Sequence, residues 1–146
     1  MTAARHWHGY SWMGASAELR NESLRRPGPT GAPETDAFIR STLPPLQTGH
    51  YLLRRPEAGR TWTDPDDAIA WLVANYQRHP PMEHPGGAQA YVSLDSRKVI
   101  SRDGLINGVD AWWQYYTSDQ GQVVFAAVCC RHSHRREIPC PMPPKS

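Results

Sequence analysis

The stretch Val109-Asp-Ala-Trp-Trp-Gln-Tyr-Tyr-Thr-Ser-Asp-Gln-Gly-Gln-Val-Val-Phe-Ala-Ala-Val-Cys-Cys130 holds the densest aromatic and β-branched run in the chain. Two extended runs flank Ser118, Asp119, Gln120 and Gly121, residues suited to a short hairpin loop, so the stretch reads as a β-hairpin. Side chains alternate across a strand: Trp112, Gln114 and Tyr116 share one face, while Ala111, Trp113, Tyr115 and Thr117 share the other. The second run, Val123 to Cys130, is apolar on both faces. A sheet with one wet face alternates apolar and polar residues; this one does not, so both of its faces require cover. A helix is the expected cover for one face. The N-terminal segment, a second copy in a homodimer, or a ligand is the expected cover for the other.

The remaining 124 residues surround that hairpin with little regular structure (146 in the chain less the 22 quoted). There are 14 prolines, and proline is excluded from helix interiors and central strands, so regular elements are confined to the proline-poor windows. Asp64-Pro65-Asp66-Asp67 is a helix start, with an N-cap, a first-turn proline and acidic residues at the positive end of the dipole. Ala68, Ile69, Leu72, Val73 and Tyr76 then recur at three- and four-residue spacing, predicting a helix to about Arg78. Trp71 lies off that stripe and widens the buried face. A short helix is expected from Thr35 or Asp36 to Arg40. Strands are expected at His50 to Arg55, at Gln89 to Asp95 and at Lys98 to Ser101. Residues 1–33 read as an irregular N-terminal segment and residues 131–146 as a proline-rich surface tail. The resulting string predicts one α+β domain over 1–146, with one main helix packed on a small, mostly antiparallel sheet.

Composition excludes several function classes. The net charge of +2 and pI near 8.5 are too mild to mark a phosphate-binding surface, and the strands lack the aromatic-plus-basic pattern of an RNA-binding sheet, so nucleic acid is not an expected partner. No apolar run reaches the roughly 20 residues of a membrane span. Three cysteines and no signal-peptide pattern lead to the expectation of a reducing, cytoplasmic setting without disulfides. The excess of Arg over Lys, with abundant Ala, Pro and Gly, matches the codon bias of a GC-rich bacterial genome. No P-loop, nucleophile elbow or dinucleotide fingerprint is present.

Two functional readings follow. The first is a binding module holding a small organic ligand or a protein partner on the hairpin, through Trp112, Trp113, Tyr115, Tyr116 and Phe125. The alternative is a small cofactor-independent enzyme of secondary metabolism, with an aromatic pocket and an acid–base residue drawn from His50, His79, His84, Asp95 and Asp110. For a metal, the nearest approach to a ligand set is Cys130, His132, His134 and Cys140, because thiolate and imidazole suit zinc. Their spacing matches no paired-cysteine zinc pattern, so no metal or cofactor is expected. Cys129 and Cys130 should face opposite sides of the strand without bonding each other. His6 and His8 form a second His-x-His, able to join the first if the chain termini meet. His79, Glu83 and His84 resemble a helical zinc motif, but Pro80 and Pro81 forbid the helix.

Overall fold

The computed structural model describes residues 5–82, 92–119 and 121–144. Four antiparallel strands form one open sheet: β1 (His6–Gly14), β2 (Thr61–Trp62), β3 (Ala111–Tyr116) and β4 (Gln122–Cys130), in the order β2-β1-β4-β3. The α+β architecture stands. The hairpin is the β3–β4 pair, its register running from Ala111 opposite Ala127 to Tyr116 opposite Gln122. All nine residues of β4 are buried, as a strand apolar on both faces requires.

Position beside β4 belongs to β1, inside the segment expected to be irregular. Its register pairs His6 with Cys130 and Gly14 with Gln122. No apolar–polar alternation announced it because both of its faces are covered: Trp7 lies in the helix-side core, and Tyr10 and Trp12 lie in clusters on the other face. Gly9 is required here, since a Cβ would lie 2.5 Å from the Trp62 ring.

Helices α1 (Pro33–Arg40), α2 (Pro65–Arg78) and α3 (Leu94–Ile106) complete the regular structure. The start of α2 is as expected: Asp64 accepts the Asp66 N–H at 2.8 Å, and Pro65 opens the first turn. Ala68, Ile69 and Leu72 enter the core with Leu105, Trp113, Phe125 and Cys129. Trp71 widens that face, meeting Phe125 edge-on with ring centroids 6.4 Å apart. In α1 the helix begins before Thr35, whose hydroxyl instead donates to the Pro27 and Pro29 carbonyls of the preceding loop.

One expected strand, Lys98 to Ser101, and the end of another are replaced by α3. Ser93 caps it by accepting the Ser96 N–H, and Gly108, at φ +86°, follows its end. The Lys98 to Ser101 segment lies inside this helix, as do Leu94 and Asp95 of the Gln89 to Asp95 segment; Gln89 to Tyr91 lie outside the described residues. The apolar period failed to show it because the helix presents polar groups inward. Ser101 Oγ accepts the Trp113 indole N–H at 2.8 Å, and the Arg97 guanidinium lies 5.6 Å from the Tyr115 ring centroid. Val99 and Ile100, which suggested a strand, are exposed.

The face of the sheet opposite α2 and α3 is covered by irregular chain. The expected strand at His50 to Arg55 is largely a 3-10 turn, Thr48–Leu53, which places Tyr51 and Leu52 against Tyr10, Ala126, Val128 and Ile138. The tail is likewise not all surface: His132 and Ile138 are buried. Buried Arg54 anchors this layer, donating to the carbonyls of Phe38 at 3.0 Å and Leu43 at 2.6 Å with its guanidinium over the Phe38 ring. Burial lowers its pKa to about 10, which leaves it charged at neutral pH. Among the described residues no helix is long and apolar enough to cross a membrane.

Candidate metal centre

Strand periodicity builds most of the site. His6 and His8 are two residues apart on β1 and point to one face, and Cys130 is the cross-strand partner of His6 on the same face. As expected, Cys129, one residue back, faces the opposite side and packs in the helix-side core, and all three cysteines are free thiols. After Cys130 the strand ends, and the tail returns over this face. Ile138 is buried in the cluster that holds Cys130 and Tyr10, which brings Cys140 beside the two histidines. Its Sγ lies 3.3 Å from His6 Nε2 and 3.6 Å from His8 Nε2. One ligand atom from each of His6, His8, Cys130 and Cys140 lies within 4.8 Å of every other.

The donor set suits zinc, and so do the two nitrogen–sulfur distances at Cys140. Bonds of about 2.3 Å to sulfur and 2.0–2.1 Å to nitrogen in a tetrahedron imply ligand–ligand edges of about 3.3–3.8 Å. Both nitrogen–sulfur separations, 3.3 and 3.6 Å, fall in that range. His8 Nδ1 lies 2.9 Å from the Thr61 hydroxyl oxygen. With the proton on Nδ1 donated to Thr61, the Nε2 lone pair is directed at the cluster, the outer contact that orients metal-bound imidazoles. No protein-family model, curated protein or solved structure significantly matches this chain.

Without a cation, His8 and Cys130 favour their neutral forms. Burial, with His6 beside it, lowers the His8 pKa to about 4. Burial, with Cys140 beside it, pushes the Cys130 thiol up to about 12. Both groups can coordinate: neutral imidazole is the ligand form, and a bound divalent ion removes the thiol proton outright.

Of the four weak metal candidates named from sequence, Cys130 and Cys140 converge while His132 and His134 do not. That reading continued the strand past Cys130, whereas the chain leaves the sheet there. His132 turns to Asp110, its Nε2 2.6 Å from Oδ2, and its Nδ1 accepts the His134 N–H at 3.1 Å. Both ring nitrogens are therefore engaged. Asp110 also accepts the Cys129 N–H at 2.8 Å, so this pair staples the tail to β4. Gly49 admits it: a Cβ there would lie 2.9 Å from the His132 ring.

The other expected acid–base residues are dispersed. His50 packs edge-on to Phe38, its pKa lowered by burial. Asp95 is exposed in the first turn of α3, and His84 lies outside the described residues, as does Glu83. His79, the C-cap of α2, stacks near Phe125 and lines an open groove of about 590 Å³ beside the hairpin turn. Of the five candidates it is the one, among the described residues, that lines this groove. On the hairpin, Trp113, Tyr115 and Phe125 are buried in the core, Trp112 is half-buried against Tyr51, and Tyr116 is exposed. The aromatic surface accessible to a ligand there thus reduces to Trp112 and Tyr116.

His6 and His8 were visible in sequence as a His-x-His pair. What linked them to Cys130 and Cys140 was the adjacency of β1 to β4, a pairing that no local pattern encodes.

Proposed function

We propose that this chain is a zinc-binding protein in which one ion, held by His6, His8, Cys130 and Cys140, fastens the C-terminal tail to the sheet. The observation that carries this reading is the convergence of two imidazole nitrogens and two thiols, from three separate segments, within 4.8 Å. Four protein ligands fill a tetrahedral sphere, whereas catalytic zinc keeps a position open for water or substrate. The role is therefore structural. Structural zinc contributes about 10–16 kcal/mol in small zinc-dependent peptides, comparable with the roughly 5–15 kcal/mol net stability of a whole domain. Here the apolar core carries the sheet, and the ion acts on the irregular layer.

Elemental analysis of protein made without a polyhistidine tag tests the proposal. The wild type is expected to retain nearly one equivalent of zinc after desalting. His6→Ala and Cys130→Ser should lose it, while His134→Ala and Cys129→Ala should keep it. Folded wild type without zinc, or a Cys130→Ser variant that still holds a full equivalent, would overturn the assignment.

A further inference from the structure

Resting on the zinc reading, we infer that Cys140 is a peroxide-reactive thiol and Cys130 its resolving partner, so that oxidation converts the two zinc-bound sulfurs into a disulfide and expels the ion. Three features of the site carry this. The two sulfurs already lie within 4.8 Å of each other, on the same face of the sheet. Their exposures are opposite: Cys140 is open to solvent, while Cys130 is 2% exposed on a central strand. The remaining cysteine lies across the sheet, where Cys129 packs with Phe125 and Leu72, so Cys140 has one thiol neighbour among the described cysteines.

Susceptible sensor cysteines are solvent-accessible, thiolate in character and placed beside a resolving thiol. Zinc supplies the thiolate character and the tail supplies the access. In the first step the Cys140 sulfur attacks one oxygen of hydrogen peroxide. The O–O bond breaks, one oxygen stays on sulfur as a sulfenic acid, and the other leaves as hydroxide and is protonated to water. In the second step the Cys130 sulfur attacks the Cys140 sulfur. The S–S bond forms, the S–O bond breaks, and the departing hydroxide takes a proton to give a second water. The sulfurs together lose two electrons, the peroxide oxygens gain them, and zinc remains divalent throughout. A disulfide sulfur is no longer a thiolate ligand, so two of the four ligands are lost together. His6 and His8 alone do not make a structural zinc site.

Exposure order assigns the roles. Peroxide reaches Cys140 from solvent, and Cys130 completes the reaction from beneath without the tail detaching. A thiol reductant reverses the bond and restores the site.

The test is a peroxide titration of zinc-loaded, untagged protein, with a chromogenic zinc indicator read against mass spectrometry of the thiols. Arg131 and Arg136 separate Cys130 from Cys140 in a tryptic digest, so the bond appears as a cross-linked peptide pair whose fragmentation distinguishes Cys129 from Cys130. One zinc released per Cys130–Cys140 disulfide formed, with both changes reversed by dithiothreitol, is the expected result. Zinc retained through a peroxide excess overturns the release while leaving the metal site intact. Release accompanied by sulfinic acid, or by a bond to Cys129, overturns the pairing. Protein that carries no zinc before peroxide is added overturns the metal reading itself.

Discussion

Ala68, Ile69 and Leu72 of α2 meet Phe125, Ala127 and Cys129 of β4 in one continuous apolar cluster, whereas the opposite face of the same strand is covered by chain with little regular structure. That second cover does bury apolar side chains, in two smaller clusters around Tyr10 and Trp12. Its position, however, depends on bonds at particular points. Tyr10 donates to the Arg54 carbonyl at 2.7 Å. Arg54 in turn holds the Phe38 and Leu43 carbonyls, and Asp110 holds His132. A 3-10 turn and a proline-rich tail satisfy few of their own backbone groups, so they are located by whichever side chains reach them. One face is held by area and the other by pins, of which the metal quartet is the proposed strongest.

The largest effect expected from breaking this contrast is on the helix side. Leu72 is fully buried, and Leu72→Ala should cost about 2–5 kcal/mol in chemical denaturation, since a core cavity adds to the lost transfer energy. The variant that remains folded should bind zinc with unchanged stoichiometry, because α2 touches none of the ligands' face. Loss of zinc in that folded fraction would show that the two faces are not separable.

A smaller effect is expected from the tail staple. In Asp110→Asn the amide oxygen can still accept the Cys129 N–H, but the amide nitrogen meets the His132 Nε2–H donor. His132 cannot simply exchange tautomers, because its Nδ1 already accepts the His134 N–H. The expected cost is about 1–3 kcal/mol, and it should be local. Amide hydrogen exchange in residues 132–140 should rise well above that of β3 and α2. Uniform acceleration across the sheet would place Asp110 in the global core instead.

The same division accounts for what was legible in the sequence. Helix α2 was readable because its cap, first-turn proline and apolar stripe agree, and the hairpin because its runs and turn residues agree. The opposed orientations of Cys129 and Cys130 followed from strand parity alone. Helix α3 was hidden because Arg97 and Ser101 face the aromatic core while Val99 and Ile100 face outward, which inverts the period that marks a helix. Strand β1 was hidden because burial on both faces erases alternation. The site inherits both situations. Cys130 and Cys140 were named as ligand candidates, and His6 with His8 as a pair that would matter if the termini met. Their union depends on β1 lying against β4 and on the strand ending at Cys130, and neither is a local property.

X-ray absorption at the zinc K-edge, on untagged protein as purified, tests the central claim most directly. A first shell of two sulfurs at about 2.3 Å and two nitrogens at about 2.0–2.1 Å is the predicted result, with the outer-shell scattering of two imidazole rings. A shell of oxygen and nitrogen without sulfur, or one containing three sulfurs, would contradict the assignment of His6, His8, Cys130 and Cys140 as the ligands.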